Sequence, residues 1–125
     1  MKISFKKFIP GIAWFFLVLF LICLPATDIP EVPWLDKIYF DKWVHAGLFG
    51  MLTVLFSWPF YNSSYNGKER LQYFIKIAIS VSLWGLTTEI IQKYFIYSRA
   101  FDIMDWVADS FGAFIAFWFC RKKFL

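Results

Sequence analysis

Apolar residues fall into four long runs along the chain, and polar residues are concentrated between them. The runs cover residues 8–24, 44–60, 71–91 and 103–120. A bilayer core about 30 Å thick is crossed by about 20 helical residues, within a range of about 17–25. Strand-like alternation of polar and apolar residues is absent, so a membrane barrel is not expected. The pattern predicts an all-α integral membrane protein, a compact bundle of four transmembrane helices.

The first run has a second interpretation, because Lys2, Lys6 and Lys7 precede it as they would precede a signal peptide. However, Pro25-Ala26-Thr27 is a poor cleavage site, and the run is long for a signal peptide. We therefore expect this run to be retained as the first transmembrane helix. Residues 1–125 would then form a single transmembrane domain.

The composition argues against a water-soluble domain. Of the 125 residues, 60% are hydrophobic and 24% are aromatic, which leaves too few polar residues to cover the surface of a domain this small. Membrane lipids are therefore the expected partners. A nucleic-acid partner is not expected, and homo-oligomer formation remains open.

Basic residues predict the orientation of the bundle, because Lys and Arg are enriched in cytoplasmic flanks. One side of the predicted bundle carries Lys2, Lys6, Lys7, Lys68, Arg70, Lys76, Arg121, Lys122 and Lys123. The other side carries only Lys37, Lys42, Lys93 and Arg99. We therefore expect both termini in the cytoplasm.

Polar residues gather at the opposite, outer face and enter the apolar runs there. The candidate ligand-binding residues are Asp41, His45, Glu89, Gln92, Arg99, Asp102, Asp105 and Asp109. Three of them, His45, Glu89 and Asp109, lie inside the apolar runs. Ionisable residues in a membrane span cost free energy and normally face the bundle interior, where they are paired.

The helical period places these residues on faces that also carry small side chains. Ser82, Gly85, Glu89 and Gln92 share one face of the third helix, and Asp105, Asp109, Gly112 and Ala116 share one face of the fourth. Small residues allow close contact between membrane helices. We therefore expect the carboxylates to meet where helices two, three and four converge.

The charge balance of this group leaves its role open. Its five carboxylates exceed the two nearby cations, Lys42 and Arg99, so the remaining charge needs protons, a charged His45 or a bound cation. One alternative is a set of structural ion pairs in which Arg99 bridges Asp102 and Asp105, while Lys42 and Lys93 pair with the remaining acids. Another is a divalent metal such as zinc or manganese, although the spacing matches no standard metal motif and no cofactor is firmly indicated.

Three short motifs resemble those of the VanZ-like membrane proteins. Asp41-Lys42-Trp43-Val44-His45 is similar to that family's D-K-x-x-H, and Glu89-Ile90-Ile91-Gln92 to its E-x-x-Q. The segment from Arg99 to Gly112 is similar to R-x-x-D-x-x-D-x-x-x-N-x-x-G, with Asp109 where the family has Asn. The resemblance covers about two thirds of the chain.

The resemblance implies a multi-pass protein of the bacterial inner membrane, in a family named after a member linked to teicoplanin resistance. It implies no established reaction. One hypothesis is a non-enzymatic protein whose outer pocket binds a lipid-linked envelope precursor, an amine-bearing envelope molecule or a glycopeptide, with an effect on glycopeptide susceptibility. The alternative is an intramembrane metal-dependent enzyme that acts on an envelope lipid or precursor.

Overall fold

The computed structural model describes residues 3–23, 40–61, 63–96 and 102–124, and these residues form helices and turns without any strand. The four α-helices are α1 (Ile9–Ile22), α2 (Phe40–Ser57), α3 (Gly67–Phe95) and α4 (Ile103–Lys123). Short 3₁₀ helices lead into α1 (Phe5–Phe8) and follow α2 (Trp58–Phe60). The predicted all-helical fold is confirmed for this part of the chain.

Four helical segments are long and apolar enough to cross a membrane. They are Phe5–Ile22, Lys42–Phe60, Gly67–Phe95 and Ile103–Lys123. Large apolar side chains also point away from the bundle, including Phe16, Phe20, Ile79, Leu83, Phe111 and Phe114. Such a surface suits lipid contact and would be unfavourable in water. These features indicate a multi-pass membrane protein.

Polar side chains set the start of the two longest helices, and both helices exceed their predicted bounds, α4 by ending at Lys123 instead of residue 120. Asn66 caps α3 by accepting a hydrogen bond from the Glu69 amide at 2.8 Å, and it donates to the Glu69 carboxylate at 3.0 Å. Capping lets α3 begin before its apolar run, so the helix covers Gly67–Phe95 instead of the predicted 71–91. Asp102 caps α4 in the same way, by accepting from the Met104 amide at 2.9 Å.

The bundle is built around a close contact between α2 and α4, with α3 packed on both and α1 packed mainly on α2. Glycine makes the close contact feasible. A Cβ atom at Gly112 would overlap the carbonyl oxygen of Ala46, and one at Gly50 would lie 3.1 Å from the carbonyl oxygen of Gly112. Because no side chain separates the backbones here, residues on the facing surfaces of α2 and α4 meet directly.

The first and last described residues, Ile3 and Phe124, lie together at one end of the bundle. Ile3, Phe60, Phe74 and Cys120 form one buried cluster, and the Tyr61 and Phe124 rings are 5.6 Å apart. The starts of α1 and α3 and the end of α4 therefore share this end, which we call the basic end because it carries Lys6, Lys7, Lys68, Arg70, Arg121, Lys122 and Lys123. The opposite charge distribution of the two ends agrees with the sequence prediction, whereas the side of the membrane that each end faces remains a prediction.

Candidate functional site

Residues from three helices meet at the end of the bundle opposite the basic end. We call this group the acidic site and define it as Lys42, His45, Glu89, Asp102, Asp105 and Asp109. Its centre is His45 on α2. The His45 Nδ1 atom lies 2.9 Å from Asp109 Oδ1, and the Nε2 atom lies 3.6 Å from Asp105 Oδ2. The imidazole is thus held between two carboxylates of α4 that are one helical turn apart.

Glu89 on α3 completes the inner part of the acidic site. One nitrogen of His45 and one carboxylate oxygen each of Glu89 and Asp109 all lie within 4.8 Å of one another. The Glu89 Oε2 atom accepts a hydrogen bond from the backbone amide of Asp102 at 3.1 Å. Glu89 therefore also fixes the position of α4, because it binds the residue that caps this helix.

Lys42 forms the outer part of the site by bridging two carboxylates. Its Nζ atom lies 2.8 Å from Asp102 Oδ2 and 2.5 Å from Asp105 Oδ1. The hydrogen bond from Lys42 is the main reason that the pKa of Asp102 lies below its ordinary value. The sequence identified Lys42 as a cation near the acids, but the predicted ligand-binding residues did not include it, although its position three residues before His45 puts both side chains on one face of α2.

Exposure of the side chains increases from the centre of the site to its edge. The Asp109 side chain is fully buried, those of His45 and Asp105 are 12% exposed, and those of Lys42 and Asp102 are 22% and 44% exposed. Glu89 is also fully buried. A molecule or ion would therefore reach the inner carboxylates from the side of Asp102 and Lys42.

Two buried carboxylate oxygens have no hydrogen-bond partner within the described residues. They are Glu89 Oε1 and Asp109 Oδ2. Gly85 provides the space for the second of these, because a Cβ atom at position 85 would lie 2.9 Å from Asp109 Oδ2. Buried charged groups are normally paired or bound to a metal. The inner part of the acidic site therefore has the geometry to hold a cation or a hydrogen-bond donor.

Three predicted site residues, Gln92, Arg99 and Asp41, are not among the residues that define the acidic site. Gln92 is buried beside α1, where its Nε2 donates to the carbonyl oxygen of Ile22 at 3.1 Å and so satisfies a backbone group at the end of that helix. Arg99 lies outside the described residues, and so does its predicted bridge to Asp102 and Asp105. Asp41 lies within α2, but its side chain is also outside the described part of the structure.

Helix packing explains why the predicted faces converge. Gly85, Glu89 and Gln92 are buried along α3, and Asp105, Asp109, Gly112 and Ala116 are buried along α4. Between these faces, the Ser82 and Ser110 hydroxyls are 2.7 Å apart. The expected meeting of helices two, three and four is therefore confirmed for His45, Glu89 and Asp109.

The acidic site combines an imidazole, an ammonium and four carboxylates at one end of a membrane bundle. This set can hold a metal ion, an amine or a shared proton. Comparisons with protein-family models, curated proteins and solved structures find no match to this chain.

Proposed function

We propose that this chain is a VanZ-like protein of the bacterial inner membrane whose acidic site binds an amine-bearing or lipid-linked envelope molecule. The observation that supports this proposal is the pair of buried, unpartnered oxygens, Glu89 Oε1 and Asp109 Oδ2. The other oxygen of each carboxylate has a partner, but a buried acceptor left unsatisfied still costs about 1–3 kcal/mol, and more when the group is charged. A ligand ammonium would supply both the opposite charge and the hydrogen-bond donors.

Lys42 illustrates how an ammonium is held by this group. Its single Nζ atom donates to both Asp102 and Asp105. A primary amine on a ligand has the same three donors and the same charge. An amine bound deeper in the site would find Glu89 and Asp109 in a similar arrangement, with His45 between the two pairs of carboxylates.

The position of the acidic site suits a ligand that comes from the membrane surface. Asp102 lies just before α4, and it is the most exposed of the ion-paired side chains in the site. In the predicted orientation this end faces the outer side of the inner membrane, where the head groups of envelope lipids and lipid-linked precursors lie. The motifs that resemble the VanZ-like family contain all six residues of the acidic site, with Asp109 at the position where the family has Asn.

Phosphatidylethanolamine is a suitable first probe, because it is an envelope lipid with a primary amine. Phosphatidylcholine is the matched control, because its quaternary amine has the same charge but no N–H donor. We expect phosphatidylethanolamine to raise the unfolding temperature of the detergent-purified protein more than phosphatidylcholine does. The double variant Glu89→Gln/Asp109→Asn should lose this difference, whereas Glu69→Gln, an acidic position near the other end of the bundle, should retain it. Equal stabilisation of the wild-type protein by the two lipids would contradict amine recognition.

The proposed effect on glycopeptide susceptibility has a separate test. Expression of the wild-type chain in a teicoplanin-susceptible bacterium should raise the concentration of teicoplanin that inhibits growth. The Glu89→Gln/Asp109→Asn variant, expressed to the same level in the membrane, should not. If both chains leave the inhibitory concentration unchanged, the resistance role implied by the resemblance is refuted.

A second candidate function, an intramembrane metal-dependent enzyme acting on an envelope lipid or precursor, is favoured by one observation. The ligand atoms of His45, Glu89 and Asp109 lie within 4.8 Å of one another. Two ligand atoms on one tetrahedral zinc ion lie roughly 3.5 Å apart, since zinc bonds to nitrogen and oxygen are about 2.0–2.2 Å. Closing the widest of these separations by roughly 1.3 Å would therefore bring the atoms to zinc-binding distances, and a bound metal would supply an activated water.

Metal content distinguishes the two candidates. The enzyme hypothesis predicts about one zinc or manganese ion per chain after purification without chelator, with loss of this metal in His45→Ala and in Asp109→Asn. The Asp102→Asn variant, altered at the edge of the site, should keep the metal. A wild-type protein that contains no transition metal, even after incubation with zinc or manganese and removal of the excess, would refute the enzyme hypothesis and leave amine binding intact.

A further inference from the structure

A groove on the lipid-facing side of the bundle is separate from the acidic site. It has a volume of about 310 Å³ and lies between α1, α2 and α3. Its walls are mostly apolar, with Phe15 from α1, Leu52 and Phe56 from α2, and Ile77, Val81 and Trp84 from α3. We call it the lipid groove. The volume is at the lower end of the range of about 300–1,000 Å³ that is common for small-molecule sites.

The length of the lipid groove matches one leaflet of a bilayer. Its lining on α3 runs from Tyr73 to Trp84, a distance of about 16 Å at 1.5 Å per residue. Half of a hydrocarbon core about 30 Å thick is about 15 Å. An apolar chain that enters the groove near Tyr73 would therefore reach Trp84 at about the depth where one leaflet ends.

The entrance of the groove lies at the level of an aromatic cluster. The Tyr73 ring is 4.7 Å from the Phe60 ring and 5.0 Å from the Tyr65 ring, measured between centroids. Tyrosine is enriched where a bilayer meets water, because its ring is amphipathic. Tyr73 therefore marks the surface of the leaflet at the basic end of the bundle.

Lys76 adds a positive charge to this entrance. It lines the groove, is exposed, and has no carboxylate partner within the described residues. Its Nζ atom lies 5.5 Å from the centroid of the Tyr73 ring. A lysine inside a hydrophobic span is unfavourable unless it reaches the interface or meets an opposite charge. The charge next to an apolar groove is therefore complementary to an amphiphile with an anionic head group.

We infer that the lipid groove binds an anionic phospholipid from the leaflet at the basic end. One acyl chain lies in the groove between α1 and α3, and the phosphate contacts the Lys76 ammonium. The other basic residues of this end attract anionic lipid to the surface, whereas Lys76 selects the molecule whose chain occupies the groove. This binding is independent of the ligand of the acidic site.

The test compares phosphatidylglycerol with phosphatidylcholine, both with two oleoyl chains, added to delipidated full-length protein in detergent. Lipid retention is measured by native mass spectrometry. Wild-type protein should bind one phosphatidylglycerol about fivefold more tightly than phosphatidylcholine. A basic residue at a membrane surface contributes about 1 kcal/mol to the binding of anionic lipid, and this energy corresponds to about a fivefold difference in affinity. Lys76→Gln should abolish this preference. Lys68→Gln is the matched control, because Lys68 is an exposed lysine of the same helix outside the groove, and it should preserve the preference.

A second variant tests the acyl-chain part of the site. Ser80 lines the groove and is exposed, so Ser80→Phe should fill the groove without disturbing the buried core. We expect this variant to weaken binding of both lipids at least threefold. The inference is overturned if Lys76→Gln keeps the preference for phosphatidylglycerol, if Lys68→Gln loses it equally, or if Ser80→Phe binds both lipids as tightly as wild type.

Discussion

Replacing Gly112 with alanine tests whether the close approach of α2 and α4 assembles the acidic site. The added Cβ would overlap the carbonyl oxygen of Ala46 and would lie 2.7 Å from its carbonyl carbon and 2.8 Å from its Cα. All three obstacles are backbone atoms, so a change of side-chain rotamer cannot relieve the overlap. The two helices must separate, and His45 and Asp109 lie within one turn of this contact.

The expected loss of stability follows from two opposing effects. Overpacking of a well-packed core costs about 1–3 kcal/mol and sometimes more. Alanine in place of a helical glycine regains up to about 1 kcal/mol. Because Gly112 faces rigid backbone, we expect the packing cost to exceed the gain and the free energy of unfolding to fall by about 2 kcal/mol. The 2.9 Å contact between His45 and Asp109 should lengthen at the same time.

Gly47→Ala is the matched control, since it makes the same change in α2 at a site where the added Cβ has no contact within 4 Å with any other described part of the chain. It should be neutral or more stable by about 0.5–1 kcal/mol. Reversible unfolding in detergent, followed by circular dichroism, gives both values. If Gly112→Ala and Gly47→Ala differ by less than about 0.5 kcal/mol, the α2–α4 contact is not the close packing described above.

Three further predictions concern the charged groups of the acidic site. A double-mutant cycle of His45→Gln and Asp109→Asn should give a coupling energy of about 1–3 kcal/mol in thermal unfolding, and a value below about 0.5 kcal/mol would mean that the pair does not interact. Lys42→Met should destabilise the protein by removing the cation that Asp102 and Asp105 share, and adding Asp105→Asn should restore part of the loss; simple additivity of the two changes would refute the bridge. Asp102→Asn should flatten the dependence of stability on acid pH. The pKa of Asp102 is lower in the folded protein than its ordinary value of 3.8, so the ionised carboxylate stabilises the fold above pH 3.8. This contribution is lost as the pH falls through the lower pKa of the folded state. The last effect should be below about 1 kcal/mol, since the Asp102 side chain is 44% exposed, and an unchanged unfolding profile between pH 2 and 5 would contradict it.

Tertiary contacts give two of the predicted site residues roles that their positions in the sequence did not predict. Gln92 lies on the predicted face of α3, yet its amide binds the last turn of α1 at Ile22. Glu89 has both a predicted place at the centre of the site and a second role as acceptor for the Asp102 amide. Periodicity identifies the face on which a side chain lies, but not whether its partner is a ligand, another side chain or a neighbouring backbone.

The sequence by itself determined the four helices and the end of the bundle at which the acids gather. Each helix satisfies its own backbone hydrogen bonds, and the bilayer requires about 20 apolar residues per crossing, so local composition is sufficient to predict these features. Only the tertiary structure decided that Lys42 bridges Asp102 and Asp105. Lys42 is 60 residues away from Asp102 in the sequence, and its reach depends on the rotation and register of α2 against α4. That register depends on the backbone contact between Gly112 and Ala46; the sequence places Gly112 on a contact face but does not specify its partner on α2.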